Sequence, residues 1–190
     1  PDTNFPRQYS VRINPFNRVP DGILKRPSTD PKILHTDTSN EYWQFRASLT
    51  GASEGGKMDF NESHRVRRYL LSSLQHGGFK GDPPNRGIAN RQCEQWTNTT
   101  HPGPILRALI VALEQWVKTN TTPPDTQVPK IAEQTLVEPS QLKLPKIPGL
   151  TYEGLFNGSG DRDYGPRVKM NAGVIDMLIP QPHSSHKILV

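Results

Sequence analysis

The chain has 190 residues and a net charge of +5, and only 33% of it is hydrophobic, with 19 prolines and 15 glycines. That suits one domain, or a piece of a larger one, whose core comes from a few segments separated by much loop. No run of about 18 apolar residues occurs, so no helix is expected to span a membrane. The single Cys93 excludes an internal disulfide and a multi-cysteine metal site.

Residues 1–30 carry Pro1, Pro6, Pro15, Pro20 and Pro27 and little periodicity. They read as an extended N-terminal segment, with one short helical turn at Gly22 to Lys25. A β-prone run follows Pro31, Lys32-Ile33-Leu34-His35-Thr36-Asp37-Thr38, and fits a buried strand. Ser39 to Leu49 then reads as a helix capped by Ser39 or Asn40, with Tyr42, Phe45 and Leu49 on its apolar face. Gly51 to Ser63 is a polar loop.

Arg65 to Leu74 is the second strand, with Val66, Tyr69, Leu70, Leu71 and Leu74 as its apolar content. The cluster Arg65, Arg67 and Arg68 at its entrance reads as a strand flank, not as a nucleic-acid surface, which needs a denser basic stripe. The strand ends in Gln75-His76-Gly77-Gly78, and Gly77 to Thr100 is a long irregular loop. A loop of that length is usually functional or flexible. The clearest helix follows His101-Pro102-Gly103-Pro104. Ile105, Leu106, Leu109, Ile110, Leu113, Trp116 and Val117 recur on one face at the 3.6-residue period. That face predicts core packing. Residues 123–190 form a Pro-rich stretch of short strands and turns, with Met170 to Ile179 as one candidate edge strand.

Strand, carboxylate-bearing loop, helix, strand, histidine, helix is the order of the last third of an α/β hydrolase, where the triad runs Ser, Asp/Glu, His along the chain. His76 stands where the general base belongs, at the tip of a strand, with glycines that let the backbone turn. Asp37 and Glu41 both stand where the acid belongs, just after the preceding strand. The acid's task is to fix the imidazole tautomer and to stabilise the imidazolium. The alternatives are plain ones: a loop histidine, a carboxylate at a helix N-terminus for Glu41, a loop hydrogen bond for Asp37. His35 reads as a satisfied strand histidine. No nucleophile is expected within the chain. Ser159 and Cys93 both follow His76, against the fold's order, and Ser159 has glycines at the wrong offsets. No cofactor motif and no strong metal signature is present.

Pro27-Ser28-Thr29-Asp30-Pro31-Lys32-Ile33-Leu34-His35-Thr36-Asp37-Thr38-Ser39-Asn40-Glu41-Tyr42-Trp43-Gln44 resembles a hallmark of the large bacterial alpha/beta hydrolase domain-containing proteins. Ser72-Ser73-Leu74-Gln75-His76-Gly77 is similar to their strand-ending Gln-His motif. Leu106 to Leu113 with Trp116, then Pro123-Pro124, Pro129-Lys130-Ile131-Ala132, Thr135-Leu136-Val137 and Ile147-Pro148-Gly149, looks like their terminal helix and the run after it. The likeness covers roughly residues 20–190.

The resemblance implies an α/β chain with a partial α/β-hydrolase fold, namely the last strands and the terminal helix, over residues 31–122. A Pro-rich irregular C-terminal extension, 123–190, follows it. It implies a serine-type carboxylic-ester hydrolase with His76 as base and Glu41 as acid. The family usually has an amide where this chain has Asp37, so Asp37 is the alternative acid. Phe79 and Trp96 are expected to line the substrate pocket. The family's sequence extends beyond both ends of this chain, so we expect a C-terminal portion, inactive alone. Its partners would be a small-molecule ester and an N-terminal part of the same protein that supplies the serine. A noncatalytic interaction domain of the same ancestry is the alternative.

Overall fold

The computed structural model describes residues 6–14, 18–76, 100–149, 151–152 and 179–180. Its centre is a parallel pair of strands, β3 (Ile33–Thr38) and β4 (Val66–Leu71), in register from Ile33 opposite Val66 to Thr38 opposite Leu71. Parallel strands need covering on both faces, and the side-chain alternation along β4 provides for it. Tyr69 and Leu71 point to one face and form a buried cluster with Leu74, against which Leu34, Leu106 and Leu109 pack. Leu70 points to the other face, where Tyr42, Ala52 and Leu136 are buried and Ala47 and Ile131 pack beside them. The chain is therefore α/β, with helical elements on either side of the pair.

A further stretch extends the sheet beyond β4. Gln127 donates to the Arg68 carbonyl at 2.8 Å, and Leu70 donates to the Gln127 carbonyl at 2.9 Å, a parallel bridge. The helix between them, α2 (Gly103–Thr119), starts where Gly103 N–H donates to His101 Nδ1 at 2.9 Å. It ends at Asn120 in the left-handed region, φ 58°. Lys32 Nζ reaches that end, donating to the Trp116 carbonyl and, at 2.9 Å, to Asn120 Oδ1. A cation there meets the negative pole of the helix.

The 3.6-residue period of α2 is as expected, but its burial is not. Trp116 is buried and Leu106 and Leu109 are partly buried, whereas Ile105, Ile110, Val111 and Val117 are exposed, Ile110 at 66%. Among the described residues the sheet covers only the part of the apolar face that carries Leu106, Leu109 and Trp116.

Three other expectations change. The helix after β3 is short: α1 (Ser39–Gln44) stops at Phe45, and Arg46 at φ 57° turns the chain into a 3₁₀ turn, Ala47–Thr50. Its N-cap is Thr38, not Ser39 or Asn40. Gly22 to Lys25 is not helical. The segment belongs to a small antiparallel ladder of β1 (Arg12–Ile13) and β2 (Pro20–Asp21), prolonged by Ile23 N–H to Gln8 O and Leu24 N–H to Tyr9 O. A last pair joins β5 (Leu136–Val137) to β6 (Ile179–Pro180), antiparallel. The candidate edge strand is described only at Ile179 within Met170 to Ile179.

The basic cluster is divided among three environments. Arg65 donates to the carbonyls of Asp30 and Pro27. Arg67 lies 5.6 Å from the centre of the Trp116 ring. Arg68 is buried and paired with Glu62, which also accepts from Thr126 Oγ1 at 2.5 Å. Gly51 is what lets Arg68 lie there, since a Cβ on residue 51 would stand 2.0 Å from Nη2.

Candidate functional site

The parallel pairing of β3 and β4 brings the two strand ends side by side, so that the segments leaving them meet. Glu41 is in the first turn of α1, directly after β3. Its Oε2 accepts from the Thr38 N–H, the half of a capping box that orients the carboxylate. Its Oε1 is then free to face the turn after β4, where His76 Nδ1 lies 3.0 Å away. These residues are 35 positions apart in sequence; only the strand register makes them neighbours.

The turn carrying His76 is latched to α1 at further points. Ser73, at φ 61°, donates its N–H to Ser39 Oγ at 2.9 Å. Asn40 N–H donates to the Leu74 carbonyl at 3.4 Å. The Phe45 ring meets the His76 ring edge-on, centres 5.2 Å apart at 69°. Ser39 thus serves the neighbouring turn, and Thr38 takes the cap.

Burial acts to raise the pKa of Glu41. The hydrogen bonds from Thr38 and His76 outweigh it and hold the carboxyl below its ordinary value. The carboxylate is thus ionised at neutral pH and acceptor-only. Neutral His76 must then carry its proton on Nδ1, which leaves Nε2 with a lone pair. The His76 side chain is 61% exposed, and among the described residues only Nδ1 makes a hydrogen bond. An imidazole held at one nitrogen and open at the other can accept a proton and return it.

Asp37, the other expected acid, is engaged with His35 and makes no contact with His76 among the described residues. Its Oδ1 lies 3.2 Å from Nε2 of His35, two residues back on the same strand face. The other nitrogen of His35 is 2.7 Å from the hydroxyl of Tyr9. Burial pushes that hydroxyl's pKa up to about 12, Arg68 offsetting a little of the rise and Asp37 and Glu62 adding to it, so it stays neutral and donates. Both nitrogens of His35 are occupied.

Phe79 and Trp96, expected at the pocket, lie outside the described residues, as do Gly77, Cys93 and Ser159. One serine does stand in a Gly-x-Ser-x-Gly frame, Gly51-Ala52-Ser53-Glu54-Gly55, and its geometry bears on the expectation of no nucleophile. Ser53 has ordinary extended backbone, φ −70° and ψ 154°. Its Oγ accepts from the N–H groups of Lys57 and Met58, each at 3.1 Å, beside an Ala52–Asp59 bridge. It ties a loop. A nucleophile elbow instead sits on a strained strand-to-helix turn, and its serine precedes the acid in the chain. Ser53 follows Glu41.

Sequence reasoning missed Ser39 as a latch, Tyr9 as the partner of His35, and Phe45 against His76. For Phe45 a signal existed: it lies four residues after Glu41, on the same helix face.

A family model described as an alpha/beta hydrolase domain matches residues 9–147. The match reaches further toward the N-terminus than the likeness read from residue 20, and stops before the tail. No curated protein and no solved structure matches.

Proposed function

Because the chain belongs to the alpha/beta hydrolase domain family, we propose that it carries the base and the acid of a serine-type carboxylic-ester hydrolase. His76 is the general base, Glu41 the acid, and the seryl nucleophile and oxyanion hole come from sheet sequence other than these residues. The observation that carries the reading is the 3.0 Å contact between His76 Nδ1 and Glu41 Oε1.

The division of labour follows from the tautomer. Nε2 of His76 takes the serine proton as the oxygen attacks the ester carbonyl. Glu41 stabilises the imidazolium without becoming protonated. Nε2 then returns the proton to the leaving alkoxide as the ester C–O bond breaks, leaving an acyl-serine. Water attacks that acyl group by the same proton path, which releases the acid and restores the serine. Asp37 is set aside as the acid because it is engaged with His35. Phe79 and Trp96 remain proposed pocket residues.

The test is hydrolysis of a 4-nitrophenyl ester by the protein assembled with its serine-bearing part. His76→Ala should lower kcat/KM by on the order of 10²–10⁴-fold. An unchanged rate in a folded variant overturns the reading and leaves a noncatalytic interaction domain of hydrolase ancestry.

A further inference from the structure

We infer that Phe45 is a positioning residue for His76, acting with Glu41 as a two-point clamp built from α1 and its C-cap. The inference rests on the reading of His76 as the base.

A single hydrogen bond at Nδ1 leaves the imidazole free to rotate about that bond and to swing on χ1 and χ2. A base needs its Nε2 lone pair held in one direction. Phe45 is the C-cap residue directly after α1, one turn beyond Glu41, so the two side chains lie on the same side. Glu41 meets Nδ1 at 3.0 Å, and the Phe45 ring meets the imidazole at 5.2 Å between centres and 69° between planes. The second contact fixes what the first leaves open, the tilt of the ring. Edge-to-face geometry is the arrangement aromatic pairs prefer.

Phe45 is also suited to the task by what it does not do. It is 37% exposed and belongs to neither buried cluster. It is where α1 stops: its N–H closes the last turn on the Glu41 carbonyl at 2.9 Å, and Arg46 at φ 57° turns the chain away. The backbone therefore holds Glu41 and Phe45 at fixed spacing, and Ser39 and Asn40 tie the same helix to the turn that carries His76.

The test reads the His76 ring by ¹⁵N-resolved NMR on this chain, with no ester and no nucleophile needed, so its failure is distinguishable from a failure of the esterase assay, which tests the role of His76 as the base. Wild-type neutral His76 should populate the Nδ1–H tautomer. Phe45→Leu and Phe45→Met should lower the ratio of Nδ1–H to Nε2–H by roughly two- to tenfold, the scale of one aromatic pair contact. Phe45→Tyr, which keeps the ring, should restore it. If either aliphatic variant keeps the wild-type ratio and ring shifts, the inference is overturned. It is equally overturned if Phe45→Tyr behaves like the aliphatic variants, or if both aliphatic variants lose the β3 and β4 amide pattern, since Phe45 would then be a packing residue.

Discussion

Among the described residues there are two imidazole–carboxylate pairs, and they are opposites. His35 and Asp37 are two residues apart on one strand, with side chains 26% and 10% exposed. His76 and Glu41 come from the ends of two strands, and His76 is 61% exposed. An ionised carboxylate accepts only, so each pair fixes its tautomer. Asp37 puts the His35 proton on Nε2, and Tyr9 caps Nδ1. Glu41 puts the His76 proton on Nδ1, and nothing among the described residues caps Nε2. The same two groups thus make a structural tie in one place and an imidazole with an open nitrogen in the other. What differs is the second nitrogen, not the first.

The largest expected difference is in rate. In the assembled protein His76→Asn should lose on the order of 10²–10⁴-fold in ester hydrolysis, while His35→Asn stays within about threefold below its melting temperature, because His35 has no free nitrogen to offer. Equal losses in the two variants would erase the contrast. Next comes stability. Tyr9→Phe removes the donor on His35 Nδ1 and should lower unfolding free energy by about 1 kcal/mol in urea titrations, with kcat unchanged.

The pH dependence sharpens the other pair. The folded-state pKa of Glu41 is lowered from 4.5, so its contribution to stability is complete above 4.5 and is lost as pH falls through the lower folded value. Melting temperatures recorded from pH 6 to pH 3 should therefore fall less steeply for Glu41→Gln than for wild type. The smallest effect is expected from Asp37→Asn. Asp37 Oδ2 is buried and has no hydrogen-bond partner among the described residues, and an amide oxygen still accepts from His35 Nε2. Replacing the charge should shift stability by no more than about 0.5 kcal/mol, in either direction, in the same urea experiment.

The parts of this picture that are legible in the sequence are those set by periodicity and chain order. The apolar runs at Ile33 and Val66 mark the parallel strands, and the ordering of Glu41 before His76 marks the pair that the structure brings together. The spacing of Leu106, Leu109 and Trp116 marks α2. The illegible parts depend on partners far away in sequence. Arg46 in the left-handed region ends α1 without a Gly or Pro to announce it. Thr38 takes the cap because Ser39 is drawn to Ser73, 34 residues on. The exposure of Ile110 and Val117 depends on how much sheet lies beneath them, which a 3.6-residue pattern does not encode. Gly51-Ala52-Ser53-Glu54-Gly55 fails in the other direction: its letters spell an elbow, and its backbone builds a loop tie.

Helix α1 has six residues, too few to persist without tertiary support. The carboxylate it carries is thus held in place by the zipping of β3 to β4 and by the latch at Ser39, not by helix propensity. The carboxylate and its imidazole have no separate existence as a preformed motif. They meet when a loop of some thirty-five positions closes, and they part when it opens, so the geometry of the pair and sheet cohesion are one cooperative quantity.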